Sequence, residues 1–404
     1  MNLIHENKNR KLSILPLSIL LSLCGVSTSL SANVIADKEA PSHQQADIKT
    51  EVHLPDDPTP CRNAWGCGKT TTVNIQSPDK NGLSHNKYTQ FDAGHYNDVI
   101  IINNALSNEI DGNRNLESMA AKIILNEVRS PYSSTFAGEV KLAGQNAHVI
   151  IANPSGINCY GCSFTDIPHL TLTTGKASFS ENKLSGFRVV EGEINIHKGG
   201  KRKGLQHKGK GSDIAYLDLF SEKLNVTGHL GAVGKVGEVG ADDVMVVAGK
   251  YRIDLAAPGQ KLNIKPLSSH LSRPDYFDSV DVGKMGGMYA NKIRIVAEGN
   301  IKNSNDIVVL DSLLAITHGN INNNGLVLGK DVYLHGGGVI DNSNGRVIGE
   351  DGDKESIVTV SAGRLINDGG DISADSGDVK VFVKRVEVAN QNNNPFKRAD
   401  KKEL

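Results

Sequence analysis

The 404-residue sequence predicts an all-β protein, a right-handed parallel β-helix with extra-helical β elements near the N-terminus. Three observations support this prediction. Glycine is frequent, with 42 residues, and aromatic residues make up only 5% of the chain, which suits a long repetitive β fold better than a compact enzyme. Short apolar runs alternate with Gly, Asn, Asp and Pro, as strands alternate with turns. From Gly299 onward the sequence repeats with a period near 20 residues, which indicates a solenoid.

The N-terminus predicts export. Basic residues precede a short apolar stretch from Leu12 to Leu30, the arrangement of a secretory signal peptide. The stretch is too short and too rich in serine to span a bilayer comfortably. We therefore assign residues 1–36 to the signal, with cleavage expected after Ser31, Ala32 or Ala36. No second apolar run of spanning length follows in the sequence, so we expect a secreted, water-soluble mature chain.

Composition divides the rest of the chain into four parts. Residues 37–68 are polar and contain several prolines, which indicates a loose N-terminal extension. Residues 69–270 hold short predicted strands, residues 271–385 hold the repeats, and residues 386–404 form a polar tail. Residues 116–128 fit a short helix and a strand equally well. The strands predicted for the middle part include Val99–Ile102, His148–Ala152, Leu170–Thr173, Leu217–Phe220 and Val244–Ala248.

The repeats begin at four glycines that align without gaps, and each is followed by an aliphatic residue two positions later and another nine positions later. One coil cannot bury such residues, so stacking of coils has to supply the core. Leucine-rich repeats have a similar period but need several leucines at fixed spacing, which are missing here. The aliphatic positions are Ile301, Ile321, Ile340 and Leu365, then Val308, Leu328, Val347 and Ile372.

An asparagine lies four positions after each repeat glycine. Asparagine tolerates the left-handed turn conformation, and its side chain can hydrogen-bond to its copy in the next coil. We therefore expect a ladder of these side chains along one corner of the solenoid. The predicted rungs are Asn303, Asn323, Asn342 and Asn367.

Four cysteines remain once the signal is removed. An even number in an exported chain favours disulfides, here Cys61–Cys67 and Cys159–Cys162. A zinc site would need convergent ligands that the neighbouring sequence does not supply. A thiol–disulfide exchange site would need a βαβ setting and a helix N-terminus. We favour the structural disulfide over redox chemistry.

Other motifs do not predict an enzyme. The 13 histidines are scattered, and no metalloprotease or nucleophile-elbow motif occurs in the sequence. We predict no cofactor and no metal site. A net charge of −1 argues against a nucleic-acid partner for the chain as a whole. One segment, Lys198–Lys210, is strongly basic and could bind a polyanion, but we favour a solvated loop.

Six segments resemble the secretion domain of two-partner-secretion exoproteins, a family of filamentous haemagglutinins, haemolysins and contact-dependent inhibition toxins. The resemblance covers roughly residues 70 to 300, and the segments follow in the family's order. The cysteine pair at 159 and 162 resembles the haemolysin and contact-inhibition branch. The segments are Thr89–Ala105, Asn113–Val128, Ala147–Gly175, Tyr216–Leu230, Asp243–Leu255 and Gly286–Gly299.

Two short motifs carry the resemblance most specifically. They are Asn113-Arg-Asn-Leu116, where the family has Asn-Pro-Asn-Leu, and Asn153-Pro-Ser-Gly-Ile157, where the family has Asn-Pro-Asn-Gly-Ile. Both are turn formers, because Asn side chains bond the local backbone and proline pre-sets φ. Arg114 replaces the proline of the family's first motif, and Ser155 replaces the second asparagine of the other. The resemblance implies that these turns serve recognition by an outer-membrane β-barrel transporter, whose periplasmic domains capture the unfolded exoprotein. The implied recognition residues are Asn113, Asn115, Leu116, Asn153, Pro154, Gly156 and Ile157.

The resemblance therefore predicts a secreted exoprotein whose N-terminal domain directs export through the transporter. We expect it to be found outside the cell or on its surface. A short haemagglutinin, adhesin or haemolysin with a receptor on host or bacterial cells is the first interpretation. The alternatives are the N-terminal fragment of a cytolysin or contact-inhibition toxin, and a remnant that is only secreted.

Overall fold

The computed structural model describes residues 33–52, 68–200, 202–211, 215–231, 242–257, 259–267, 277–352 and 354–387. The regular structure of these residues is β-strand, apart from one 3₁₀ helix at Ser42–Gln44. The first strands are β1 Asn33–Ala36, β2 Asp47–Val52, β3 Lys69–Asn74, β4 Leu83–Asp92, β5 Val99–Asn104, β6 Ile123–Val128, β7 Ser134–Phe136, β8 Glu139–Gly144, β9 His148–Ala152, β10 Ile157–Tyr160 and β11 Ser163–Thr165. The next are β12 His169–Thr173, β13 Lys176–Ser180, β14 Lys183–Arg188, β15 Glu193–His197, β16 Gly204–His207, β17 Tyr216–Ser221, β18 Lys223–Val226, β19 His229–Leu230, β20 Asp243–Ala248, β21 Tyr251–Asp254 and β22 Asn263–Pro266. The last are β23 Asp278–Val282, β24 Gly287–Ala297, β25 Asn300–Asn303, β26 Asp306–Thr317, β27 Ile321–Asn323, β28 Leu326–Gly329, β29 Asp331–Asp341, β30 Arg346–Gly349, β31 Ile357–Ile366, β32 Asp371–Ala374 and β33 Asp378–Glu387.

The strands wind into a rod with three faces, on which strands of successive coils pair in parallel. This confirms the predicted parallel β-helix. Strands β24, β26, β29, β31 and β33 bend round a corner and contribute to two faces each. Face 1 is built on β4, β6, β9, β12, β17 and β20, face 2 on β7, β10, β15, β18, β23, β25 and β27, and face 3 on β3, β5, β8, β11, β16, β19, β28, β30 and β32.

The core consists of columns of aliphatic side chains that run along the rod. On face 1, Val149 pairs with Leu170, which pairs in turn with Leu217, and all three are fully buried. Each buried aliphatic side chain of this size contributes about 1.5–3 kcal/mol relative to an exposed one. The alternation of inward and outward residues along each strand thus becomes a continuous core only through stacking.

An N-terminal cap covers the start of the rod. Strand β1 pairs antiparallel with β4, and β2 pairs antiparallel with β3. The cap strands thereby cover the edges of β3 and β4, the first strands of the rod. Residues 37–52 are therefore not the loose extension that composition predicts. Asp37 is buried and bonds Arg129 at 2.9 Å. The folded unit includes residues 33–36, so a signal boundary at 36 would cut off β1.

A second, four-stranded sheet of β13, β14, β21 and β22 lies outside the helix, in agreement with the predicted extra-helical elements. It enters the chain as two insertions at the corner between faces 1 and 2. Its apolar side packs on outward side chains of face 1 and forms a separate cluster. The cluster includes Ile150, Phe187, Val189, Phe220, Val247 and Ile253.

The repeats stack in the predicted register at their first aliphatic position, where Ile301, Ile321, Ile340 and Leu365 pair in series. The prediction of the second buried aliphatic residue is wrong by one position in the first two coils. Ile307 and Val327 are buried there, whereas the predicted Val308 and Leu328 are only half-buried. The cause is one additional turn residue with positive φ in the last two coils, Asn344 in one and Gly369 in the other.

Residues 116–128 contain no helix: a turn leads into strand β6. No helix in the described ranges is long and apolar enough to cross a membrane. The signal before residue 33, the Cys61–Cys67 pair and the tail after residue 387 lie outside the described residues. Pairing continues across the predicted boundary at 270, because β18 pairs with β23.

Candidate functional site

The first candidate turn lies at the corner between faces 3 and 1, where β5 leads to β6. Asn113 is fully buried, and its side-chain amide donates to the carbonyls of Ile75 at 2.8 Å and Asn103 at 3.1 Å. Its Oδ1 accepts the N–H of Asn115 at 3.0 Å, and its carbonyl accepts the N–H of Leu116 at 2.9 Å. This is the Asx-turn geometry expected of asparagine.

Two residues of this turn fasten it to its surroundings. The Asn115 side chain donates to Asp47 Oδ2 on cap strand β2 at 2.9 Å and to the Ile75 carbonyl at 3.2 Å. Leu116 is buried in the core, and Arg114, which lies between Asn113 and Asn115, is exposed. The first turn therefore joins the N-terminal cap to the first coils.

The second candidate turn lies at the corner between faces 1 and 2, where β9 leads to β10. Asn153 is fully buried and donates to the Tyr132 carbonyl and to Ser134 Oγ, both at 3.0 Å. Its Oδ1 accepts the N–H of Ser155 at 2.9 Å, and its carbonyl accepts the N–H of Gly156 at 3.0 Å. Gly156 has a φ of 113°, a conformation that favours glycine.

The two turns repeat one hydrogen-bond pattern at different corners. In both, the asparagine side chain accepts the N–H two residues onward and donates both of its amide hydrogens. Asn153 donates both to the preceding coil, and Asn113 donates one to the preceding coil and one to its own coil. Arg114 and Pro154 occupy the same place in the pattern. The turns lie on different edges of the rod and do not form one joint site. In the folded protein the two asparagines are covered, and the exposed parts of the turns are Arg114 and Ser155.

The second turn borders a groove of about 830 Å³ between the corner and the extra-helical sheet. Pro154 and Ser155 form one wall, and Lys176 of β13 forms the other. Ser155 also donates to the Ser130 carbonyl at 3.0 Å, so its hydroxyl binds the segment before β7. Ile157, the last residue of the motif, is buried in the core at the start of β10.

Cys159 and Cys162 form a disulfide at the corner between faces 2 and 3, with their Cα atoms 5.3 Å apart. Both side chains are buried, and the corner between them needs a left-handed residue, Gly161, with a φ of 67°. A Cβ on Gly161 would come within 2.0 Å of the Gly199 carbonyl oxygen on the next coil. A buried disulfide beside the core is a structural link, not an accessible redox centre.

The four asparagines of the repeats form a ladder along the same corner. Asn303 donates to Asn323 at 2.8 Å, Asn323 to Asn342 at 2.6 Å, and Asn342 to Asn367 at 2.7 Å. A second, half-buried ladder of Asn225, Asn195 and Asn158 runs along face 2 and was missed from the sequence. Its irregular spacing, set by the insertions, hides the period.

Among the residues that the structure describes, one side-chain group has metal-ligating composition. His148, His169 and Asp218 lie close together on face 1, but His169 already bonds Asp218 at 2.7 Å and His148 bonds Thr171 at 2.8 Å. The two imidazole rings stack with centroids 3.6 Å apart and nearly parallel planes. An ion could not lie in the plane of both rings, as imidazole ligation requires. The group does not fit a metal centre.

Burial lowers the pKa values of His148 and His207. The buried ring of His207 and the nearby charge of His169 hold the pKa of His207 at about 4, despite its hydrogen bond to the Ile167 carbonyl. Burial, and then the charge of His169, lowers the pKa of His148 well below its ordinary value. Neither ring carries a charge near neutral pH.

Known proteins resemble this chain in sequence and in fold. The chain is 34% identical over 301 residues to the toxin CdiA of Yersinia pestis. This alignment covers 72% of the chain and 8% of the toxin. It is 36% identical over 235 residues to the 16S rRNA endonuclease CdiA of Enterobacter cloacae. That alignment covers 56% of the chain and 6% of the endonuclease. The chain thus spans less than a tenth of the length of these relatives.

A solved structure of a filamentous hemagglutinin secretion domain shares the fold, with a TM-score of 0.51 and 22% identity. The alignment covers 88% of this chain and 97% of that one. The sequence profile of the TPS secretion domain matches residues 57–327, which include both turns, the disulfide and the first repeat coils. The chain belongs to the TPS secretion domain family, as the resemblance of its turn motifs predicts.

Proposed function

We propose that this chain directs its own export through an outer-membrane β-barrel transporter, and that the transporter recognises the two asparagine turns before the β-helix has formed. The proposal assigns recognition to Asn113, Asn115, Leu116, Asn153, Pro154, Gly156 and Ile157. One observation supports the timing: both first asparagines are fully buried in the folded rod, with their side-chain amides bonded on both hydrogens. A partner can reach these groups only in an unfolded or partly folded chain.

The fold offers a physical route for such export. A chain that leaves the transporter N-terminus first forms the cap and the first coils, which Asn115 ties together through Asp47. Each later coil then adds to an existing strand edge, so folding propagates in one dimension. Propagation outside the membrane would favour forward movement without ATP. A secretory signal cleaved after Ser31 or Ala32 would leave cap strand β1 intact.

The test is export of the full chain with and without a cognate transporter, following wild type, Asn113→Ala and Asn153→Ala in the medium and the periplasm. The control is Asn126→Ala, which removes another fully buried asparagine with two hydrogen bonds outside the motifs. We expect the motif variants to remain in the periplasm and the control to be exported. Export of Asn153→Ala at the wild-type level would contradict recognition of the turns. Retention of the Asn126→Ala control in the periplasm to the same extent as the motif variants would also contradict it.

The effector role is a separate proposal. The names of the two relatives support an N-terminal segment of a contact-dependent toxin, and the similar fold of a haemagglutinin domain supports an adhesin. Either would act at the cell surface or outside the cell on a receptor of a host or bacterial cell. Red-cell agglutination by the exported protein supports the adhesin, lysis supports a haemolysin, and inhibition of neighbouring bacteria supports the toxin.

A further inference from the structure

A basic turn protrudes at the corner between faces 2 and 3, one coil above the disulfide. Lys198 and Lys203 lie on either side of a residue pair, Gly199 and Arg202, that is joined by two backbone hydrogen bonds. Strand β16 follows, with Leu205 buried in the core. Most of the described residues between Lys198 and Lys210 therefore belong to the β-helix, not to the solvated loop that the composition favours. Their lysines consequently have defined positions on its surface.

The cations form a row along β16. Lys203 precedes the strand and Lys208 follows it, so their backbones lie about 16 Å apart at the usual rise of a strand. Lys210 extends the row, and its Nζ contacts the Gly144 carbonyl at 3.4 Å. The side chains of Lys198, Lys203, Lys208 and Lys210 are exposed.

This row has no carboxylate partner among the described residues. The acidic groups of adjoining strands are engaged elsewhere: Asp166 pairs with Lys141 at 3.2 Å and Glu193 with Lys223 at 3.3 Å. An array of like charges without counterions repels itself and attracts polyanions. The net charge of the whole chain, −1, conceals this local surplus.

Exposed aromatic rings border the basic turn. Tyr160 is 42% exposed, and its ring stacks on His197 with centroids 4.8 Å apart. Gly199 packs against the backbone of Tyr160, and Gly200 lies against the Cβ of Tyr96, which is 36% exposed. The turn is thus held between two partly exposed tyrosines, whose ring faces suit the apolar faces of sugar rings.

We propose that this surface, the glycan-binding row of Tyr160, Lys198, Lys203, Lys208 and Lys210, binds an acidic polysaccharide rich in sulfate or uronic acid. A linear polyanion matches cations spaced along a strand, and the flanking rings favour sugars over simple anions. The row has no exposed aliphatic side chain to insert into a membrane. This function is independent of export, because it requires the folded rod.

The test uses the exported protein and a fluorescent, heparin-type sulfated decasaccharide, with affinity measured by anisotropy at low and physiological salt. Combined Lys203→Glu, Lys208→Glu and Lys210→Glu should weaken binding by about tenfold or more, since the attraction becomes repulsion. The matched control converts three exposed lysines near the extra-helical sheet, Lys183, Lys261 and Lys265, to Glu. We expect the control to bind within about twofold of wild type, because Lys183 and Lys265 belong to the extra-helical sheet and not to face 3, where the row lies.

A second pair of variants tests the aromatic contribution. Tyr160→Ala should weaken binding by about fivefold with an unchanged salt dependence, and Tyr160→Phe should restore it, since only the ring face is needed. Equal loss in the row and control triple variants would overturn the proposal. Equal affinity of wild type for duplex DNA, or for vesicles containing phosphatidylglycerol, would overturn it too, since it would show attraction to any polyanion.

Discussion

The corner between faces 2 and 3 is closed in two different ways along the rod. In the N-terminal region a disulfide joins Cys159 and Cys162 within one coil. In the C-terminal region an asparagine of each coil bonds the asparagine of the next, as Asn323 bonds Asn342. The disulfide shapes its own corner locally, whereas a ladder rung stabilises its neighbours as well as itself. Regular coils can share one type of corner interaction, the asparagine ladder, whereas an irregular coil requires its own interaction, here the disulfide.

The largest expected effect breaks the ladder at its centre. Asn342→Ala removes a fully buried side chain that accepts from Asn323 and donates to Asn367. Both partners would keep buried polar groups without a partner, so we expect a loss of about 3 kcal/mol in the free energy of unfolding. Urea unfolding measures the loss. Asn367→Ala, at the last rung, should cost less, and an equal or larger cost would contradict the cooperative ladder.

Acid should weaken the N-terminal region more than the repeats. The unfolded chain protonates His207 below a pKa of about 6.5, whereas the folded protein does so only near 4. Stability is therefore full above pH 6.5 and falls as the pH drops toward 4. At pH 5 His207 alone accounts for about 2 kcal/mol, and His148 acts in the same direction.

Hydrogen exchange at pH 7.5 and pH 5 measures this effect coil by coil. Amides of strands β9 to β16 should lose protection at pH 5, after correction for intrinsic exchange, while those of β26 to β32 keep it. His207→Gln should reduce the pH dependence in the first group. Uniform loss along the rod would show that the histidines do not set it.

The disulfide should have a moderate effect confined to its region. A link across three positions closes a very short loop, so chain entropy predicts a stabilisation of about 2 kcal/mol. Cys159→Ala with Cys162→Ala should lower the denaturant midpoint by the corresponding amount and leave the repeat ladder protected from exchange. A loss of protection in the repeats would contradict local closure.

The smallest effect compares the two turns directly. Arg114 is exposed and occupies the place that Pro154 has in the second turn, with the same hydrogen bonds around it. Arg114→Pro should therefore stabilise the protein by about 0.5 kcal/mol through a less flexible unfolded chain. Thermal unfolding measures this, with Arg114→Ala as the control. Destabilisation by proline would show that the turns differ in backbone geometry.

The sequence by itself determined the fold class, the ladder asparagines and the first aliphatic position of each coil. These features repeat at one period, because stacked coils place equivalent residues in equivalent environments. The two turn motifs were also visible, because asparagine, proline and glycine prescribe local backbone geometry that needs no distant partner.

Tertiary structure alone decided the rest. The cap strands look like a polar extension until β2 meets β3, and the basic segment looks like a loop until β16 stacks between β11 and β19. The burial of Asn113 and Asn153 likewise depends on carbonyls of other coils. Such features depend on pairings between residues far apart in the chain, which local propensity does not encode. The strands that pair with a given strand, and not its own residues alone, determine which of its polar groups are exposed to solvent.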